Sequence, residues 1–418
     1  MDYDICIIGA GISGLYCARE LSKALPNAKI CILEKYEFLG GRISTFKKTI
    51  PGVGPIQWEA GAGRIHISHT ETIQLLKEYK IDTIPIPGLI QWRSEGSTIA
   101  ETIDFGRYMD NLAVSQVSPD ILAKSTLKKI LEKTLGKKEA QNFIDNYEYN
   151  SELDTLRADK ALESIHKELG QHNGFFVLKG GFSSLIGALK RDVQKAKVKI
   201  LRNHEVENIH TIRNGYTITV KDHIPIRATK VLLTIPRDAV AKIPCFKNLQ
   251  ILKQVKMRPL VRMYAVFPLI NGFAWFKDIP KFVCAAPVRF VIPIDPTKGT
   301  IMISYTDGND AEYWIHRMNK GDNDTSIIDE IMKHIRALFP SIAIHDPLYF
   351  KIHSWSDGCS YWTPGSYKVD KVSSASLIPL PNEMPNVYMA NESWANNQCW
   401  VNSAIQQSNL VIKEILSN

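Results

Sequence analysis

Asp4-Ile5-Cys6-Ile7-Ile8-Gly9-Ala10-Gly11-Ile12-Ser13-Gly14 is an apolar run that breaks into a glycine-rich turn. The run predicts a strand buried on both faces. Beyond the turn, Leu15, Ala18, Leu21 and Leu25 recur at helical spacing up to Pro26. Lys29-Ile30-Cys31-Ile32-Leu33 predicts a second buried strand, and it ends in Glu34. Strand, turn, helix, strand and acid succeed one another without interruption.

Each residue of this unit has a mechanical reason. Gly9 permits the tight turn, Gly11 lets the backbone approach a pyrophosphate, and Gly14 lets the helix pack closely on the strand. Ile12 and Ser13 open a helix whose free N–H groups and positive dipole end face the phosphates. Glu34, followed by Lys35, stands where a carboxylate accepts the ribose hydroxyls of an adenosine and repels a 2′-phosphate. GxGxxG alone matches many turns, but here the preceding strand, the following helix and the acid are all in place. The stretch predicts a dinucleotide site.

Composition limits the rest. The chain has 418 residues, 44% hydrophobic and 22% charged, an ordinary globular mixture that excludes a disordered tail, a collagen-like chain or a coiled-coil rod. No uncharged apolar run approaches the ~20 residues needed to cross a bilayer. Met1-Asp2-Tyr3-Asp4 lacks the basic start of a signal peptide, so a soluble, cytoplasmic protein with no membrane partner is expected. Lys and Arg exceed Asp and Glu by 51 to 43, but the basic residues are scattered, densest at Lys128-Lys129 and Lys137-Lys138. Nucleic-acid binding wants a clustered stripe, so none is expected. Seven cysteines without a CxxC pair or Cys/His ligand spacing predict a reducing compartment and no metal.

The residues after Glu34 narrow the dinucleotide. Gly40-Gly41-Arg42 and then Glu59-Ala60-Gly61-Ala62-Gly63-Arg64 make the chain resemble the flavin-containing amine oxidase superfamily, which includes monoamine, polyamine and L-amino-acid oxidases. The resemblance implies FAD as cofactor, Arg42 at its diphosphate, and Gly61, Ala62, Gly63 and Arg64 along the flavin. It extends over nearly the whole chain. Phe176-Val177-Leu178-Lys179-Gly180-Gly181-Phe182 matches a GG turn opening a helix, Val206 a residue against the adenine, and Leu232-Leu233-Thr234-Ile235-Pro236 a strand returning to the cofactor. Asn386-Val387-Tyr388-Met389-Ala390-Asn391-Glu392 and Trp400-Val401-Asn402-Ser403-Ala404 resemble the C-terminal signature, whose helix points its N-terminus at the flavin.

The expected fold class is α/β: a discontinuous Rossmann-type FAD-binding domain plus a mixed-sheet and helical substrate domain. The pieces are 1–85, 175–240 and 346–418 for the first, and 86–174 and 241–345 for the second. Thr102 to Gly170 has helical periodicity, for example Leu122, Leu127, Ile130, Leu131 and Leu135. Val198–Leu201, Val206–Ile209, Tyr216–Val220 and Val231–Ile235 read as strands, with Asn214-Gly215 a hairpin turn. Lys247 to about Ile344 reads as strand-rich with one helix, Ile327 to Leu338.

Several positions depart from the family pattern. Asn391 replaces a Gly of the C-terminal turn and is expected to tolerate its φ > 0 geometry. Cys399 and Ser403 replace glycines at the start of the last helix. Arg262, in Pro259-Leu260-Val261-Arg262-Met263-Tyr264, falls where many amine oxidases hold a Lys that positions a water near flavin N5, with Lys253 and Lys256 as alternatives. Arg keeps its proton in a protein, so it positions a water or an anion rather than acting as a base. Arg289 and Arg262 are candidates for a substrate carboxylate. Trp355, Tyr361, Trp362, Trp394 and Trp400 crowd together; Trp400 matches one member of the family's aromatic pair over the flavin, and Trp362 or Tyr361 is the candidate for the other. Cys359 lies roughly where monoamine oxidases attach FAD covalently, but its surroundings differ. His66 reads as a hydrogen-bonded core residue or a wall of the flavin's substrate face.

The resemblance implies an enzyme, an FAD-dependent oxidoreductase. A neutral amine gives a hydride equivalent from its α-carbon to flavin N5, and dioxygen reoxidises the flavin with peroxide release. Two alternatives stay open: a flavin dehydrogenase or desaturase acting on a non-amine substrate, which suits Arg262, and an FAD-binding structural or interaction protein with little turnover.

Overall fold

Ile5 and Ile7 point into one apolar cluster while Cys6 and Ile8 point into another, so the first strand is apolar on both faces because both are covered. The computed structural model describes residues 1–96, 101–102, 117–169, 173–285 and 287–417. Seven elements set the architecture: strand β1 (Tyr3–Ile8), helix α1 (Ile12–Ala24), strand β2 (Ile30–Leu33), strand β3 (Val255–Val266), strand β4 (Tyr349–Trp362), strand β5 (Val387–Met389) and helix α2 (Val401–Ser417).

The first sheet places β1 at its centre. β2 and Lys199–Leu201 extend it on one side, and Ile226–Leu233, Gly215–Val220 and Val206–Ile212 on the other. β1 runs parallel to β2 and to Ile226–Leu233, and β5 joins the latter in parallel, Leu232 opposite Tyr388. The sheet is therefore assembled from three separated stretches of chain. α1 packs against α2 and against the helix Ser183–Lys195, closing one face.

The second sheet has the order β4, β3, Thr300–Asp307, Phe290–Asp295, Lys281–Val283, Ile90–Trp92 and Glu101–Thr102. β3 lies next to the edge strand β4, paired antiparallel with it over most of its length, Arg262 opposite His353. The α/β class is thus realised as two large sheets flanked by helices. In the helical region, Leu127–Leu135 and Lys137–Asn146 obey the periodicity; positions 103–116 and Gly170 lie outside the described residues.

Three local expectations need correction. The hairpin at 206–220 turns on Arg213-Asn214, because Gly215 already pairs with Ile212; Gly215 keeps a φ of +146° beside the turn. Among the described residues of 247–344 there are two α-helices, not one: Gly308–Asn319 precedes Asp324–Leu338. The first was hidden because Asp307-Gly308-Asn309-Asp310 reads as a turn, whereas Asp307 is the residue that starts the helix. Asn391 is extended (φ −162°, ψ 161°), so no left-handed backbone explains it; its side chain instead accepts from the Ser393 N–H and donates to the Thr234 carbonyl. The left-handed residue is Cys399, at φ +70°.

Candidate functional site

A cavity of about 640 Å³ opens at the carboxyl ends of β1 and β2 and continues to β3 and β4. Gly9 turns the chain at φ +106°. A Cβ on Gly14 would stand 2.0 Å from the Gly9 carbonyl oxygen, so this glycine holds α1 on the strand. Gly14 does not line the cavity, which corrects its place among the cofactor contacts. Gly11 does line it, and a Cβ there would meet no protein atom nearer than the Gly40 carbonyl at 3.9 Å. The space it leaves belongs to a ligand. Ser13 also lines the cavity with a buried hydroxyl that lacks a partner among the described residues, and α1 has no side-chain cap. Uncapped N–H groups, an orphaned hydroxyl and a bare glycine make a fitting cradle for a diphosphate.

Glu34 takes the Ala10 N–H at 2.7 Å and the Tyr36 N–H at 2.9 Å, so its carboxylate fastens the glycine turn to the next loop while facing the cavity. Lys35 pairs with Glu205 at 2.7 Å, beside Val206, and all three line the same region. Gly41 and Arg42 form the opposite lip. The Arg42 guanidinium meets Glu392 at 2.6 Å and donates to the Gly358 carbonyl at 3.1 Å. Ser360 and the Cys399 N–H also donate to Glu392, at 3.0 Å each.

Gly61, Ala62, Gly63 and Arg64 form a further wall. Arg262 reaches it from β3: its guanidinium donates to the Gly61 carbonyl, and to the Glu59 carbonyl at 3.3 Å, and lies over the Tyr305 ring at 4.6 Å. Its Nε has no partner, and neither Arg262 nor Arg64 has a carboxylate partner, among the described residues. Arg64 donates to the Tyr149 hydroxyl and lies 4.4 Å from the Phe175 ring and 5.8 Å from the Trp400 ring, which stack on one another. Lys253 and Lys256 are exposed and do not line the cavity, so Arg262 is the cation that this region brings to the wall. Arg289 is spent elsewhere, on Asp310 and the carbonyls of Ile144 and Tyr147, and does not line the cavity.

Tyr361, Trp400 and Val401 line the cavity, as do Ile12, Trp355 and Cys359. Trp362 does not: strand alternation turns it away from Tyr361 into the core, where it is fully buried and donates to the Ala395 carbonyl at 2.9 Å. His66 is buried off the cavity, bonded to Ser68 at 2.8 Å and the Asn173 carbonyl at 3.1 Å.

Tyr149, Glu152, Tyr305 and Asp307 complete the wall and were missed in the sequence. Glu152 has a buried oxygen with no hydrogen-bond partner among the described residues; burial, then the Asp307 charge, pushes its carboxyl up to about 8. Asp307 accepts the Asn150 and Ser151 N–H groups at 2.8 and 2.9 Å, yet burial still pushes it up to about 6. No sequence motif marks these residues, since helix 150–154 and strand 300–307 meet only in the fold. Among the described residues no group of three or more His, Cys, Asp or Glu side chains is arranged to hold a metal ion.

Comparison with known proteins agrees with this architecture. The chain is 20% identical to protein R188 of Acanthamoeba polyphaga mimivirus, over 99% of this chain and 94% of that one. It is 22% identical to a flavin-dependent L-tryptophan oxidase of Lentzea aerocolonigenes, covering 98% and 97%. A solved structure of putrescine oxidase bound to putrescine superposes with a TM-score of 0.75 at 17% identity, covering both chains completely. The sequence profile of the flavin-containing amine oxidoreductases matches residues 12–416, and the chain belongs to that family of flavin-dependent oxidoreductases.

Proposed function

We propose that the protein binds FAD and oxidises the C–N bond of a small-molecule amine, with dioxygen as electron acceptor and peroxide as by-product. The observation that carries this reading is that Tyr361 and Trp400 line the same cavity as the nucleotide cradle, beside the free carboxyl oxygen of Glu152. The FAD-binding unit is the combination of 1–85, 175–240 and 346–418, and the compartment is the cytoplasm.

Bound FAD supplies the two-electron acceptor for the hydride equivalent. The first-turn N–H groups of α1 and the Ser13 hydroxyl hold its diphosphate, Arg42 offsets the negative charge, and Glu34 takes the ribose hydroxyls. Val206 packs on the adenine. Arg262 fixes the Gly61 carbonyl and so holds the Gly61–Arg64 backbone in place. Tyr361 and Trp400 orient the amine between their rings. Above about pH 8, where its carboxyl is ionised, Glu152 accepts a proton from the entering ammonium, leaving the neutral amine that hydride loss requires.

A second reading rests on Arg64 and Arg262. Two guanidiniums without carboxylates suit a substrate that brings its own, so dehydrogenation of a non-amine carboxylate is the competing chemistry. One experiment separates the two. The yellow protein is mixed anaerobically with amines, amino acids and amine-free carboxylic acids, and flavin bleaching is monitored, then peroxide on readmitting air. Bleaching by amines with peroxide release supports the first reading; bleaching only by amine-free acids replaces it with the second.

A further inference from the structure

Two thiols of the cavity wall play no part in this chemistry. Cys359 lies on β4 two residues before Tyr361, on the same side of the strand, and Cys399 immediately precedes Trp400. Both line the cavity, both are free and both are partly accessible. The Cys399 thiol donates to the Ser360 carbonyl at 3.2 Å, which brings it against the Cys359 end of the strand. Cys399 also holds a backbone φ of +70°, which side chains other than glycine adopt at a cost of roughly 1 kcal/mol. A cysteine is thus kept where the backbone favours glycine, beside a second cysteine, on the wall of the same cavity.

We propose that Cys359 and Cys399 form a dithiol site that exchanges with low-molecular-weight disulfides and closes to a disulfide across the cavity wall. In the first step the Cys359 thiolate attacks one sulfur of the small disulfide, whose S–S bond breaks and releases one thiolate, which takes up the proton Cys359 has lost. In the second, Cys399 attacks the Cys359 sulfur, the mixed disulfide breaks, and the second small thiolate leaves with the Cys399 proton. The two cysteines are oxidised by two electrons and the small disulfide is reduced to two thiols. Burial, and then the neighbouring Cys359, push the Cys399 thiol up, which makes Cys399 the resolving partner. Closure would tie β4 to the start of α2 and fix Tyr361 and Trp400 relative to one another.

The test uses the flavin-loaded protein and oxidised glutathione, with subsequent alkylation and peptide mapping without reduction. The expected result is a linked Cys359–Cys399 peptide and the loss of two of the seven free thiols. Cys399→Ser is expected to stop at a glutathione adduct on Cys359, and Cys359→Ser to leave Cys399 free. All seven thiols remaining free, or wild-type protein carrying an adduct on Cys359 without the link, would overturn the proposal. The wild-type map needs no variant to fold, and no amine is present, so its outcome is independent of the amine-oxidase reading.

Discussion

The guanidinium of Arg42 and the carboxylate of Glu392 meet at 2.6 Å from segments distant in sequence, on the wall of the cavity. Only a tenth or less of the Glu392 side chain is exposed, so removing either partner strands a charge in a poorly solvated place. Arg42→Ala and Glu392→Gln are each expected to cost roughly 1–3 kcal/mol of stability, and to lower the flavin content of the purified protein. Melting temperature and the flavin-to-protein absorbance ratio measure both. Full flavin retention in Arg42→Ala would remove Arg42 from the cofactor site.

Gly11 and Gly14 separate binding from folding. A Cβ on Gly14 would collide with the Gly9 backbone at 2.0 Å, whereas one on Gly11 meets only cavity space. Gly14→Ala is therefore expected to destabilise the protein strongly, by roughly 3 kcal/mol or more. Gly11→Ala should leave the flavin-free protein melting within about 0.5 kcal/mol of wild type while reducing flavin uptake at least tenfold. Titration of flavin-free protein with FAD, read by fluorescence quenching, distinguishes them.

Arg262 tests the wall that faces the ligand. Arg262→Met takes away the donor to the Gly61 carbonyl and the charge over Tyr305, at an expected cost of roughly 1–3 kcal/mol. Arg262→Lys keeps the charge and should recover part of the stability. On the proposed function, anaerobic bleaching slows at least tenfold in the Met variant. Unchanged bleaching in that variant would show that the Gly61–Arg64 segment holds its place without Arg262.

Glu152 carries a pH dependence. Its carboxyl is held near 8 in the folded chain against an ordinary value of 4.5, so between those limits the folded state binds more protons than the unfolded one. Stability contributed by this group is present below pH 4.5 and is lost as pH rises toward 8. Glu152→Gln is expected to flatten that decline and to raise the melting temperature at pH 8, by the equivalent of roughly 1 kcal/mol or more. The comparison is a melting series from pH 5 to 8.5; identical slopes for both proteins would contradict it.

The unit from Tyr3 to Glu34 was readable because its signals are local: one apolar run, one turn and one helix period, each within reach of its neighbours. The two-sided burial of β1 comes from its central place in the sheet, and the sequence already carries it as an unbroken apolar run. The far wall was less legible. Tyr361 and Trp362 look equally eligible in sequence, and only the strand's phase relative to the cavity decides between them. Arg289 looks available for an anion until the fold surrounds it with Asp310 and three carbonyls. Tyr149, Glu152, Tyr305 and Asp307 belong to no motif, because their nearness is a product of packing between a short helix and a sheet. Asn391 belongs to the expected turn for a different reason: its side-chain amide, not a left-handed backbone, shapes the turn.

β5 enters the first sheet beside Ile226–Leu233, and α2 packs on α1. A ribosome must therefore deliver the chain through the start of α2 before the central strands gain their last parallel neighbour and the cavity its Glu392–Trp400 wall. Until then the Rossmann-type start of the chain waits with an incomplete site. Cofactor capture is thus expected only once the chain has emerged through Val401, and a nascent chain stalled before Val387 is expected to be a substrate for chaperones and proteases rather than a partly loaded flavoprotein.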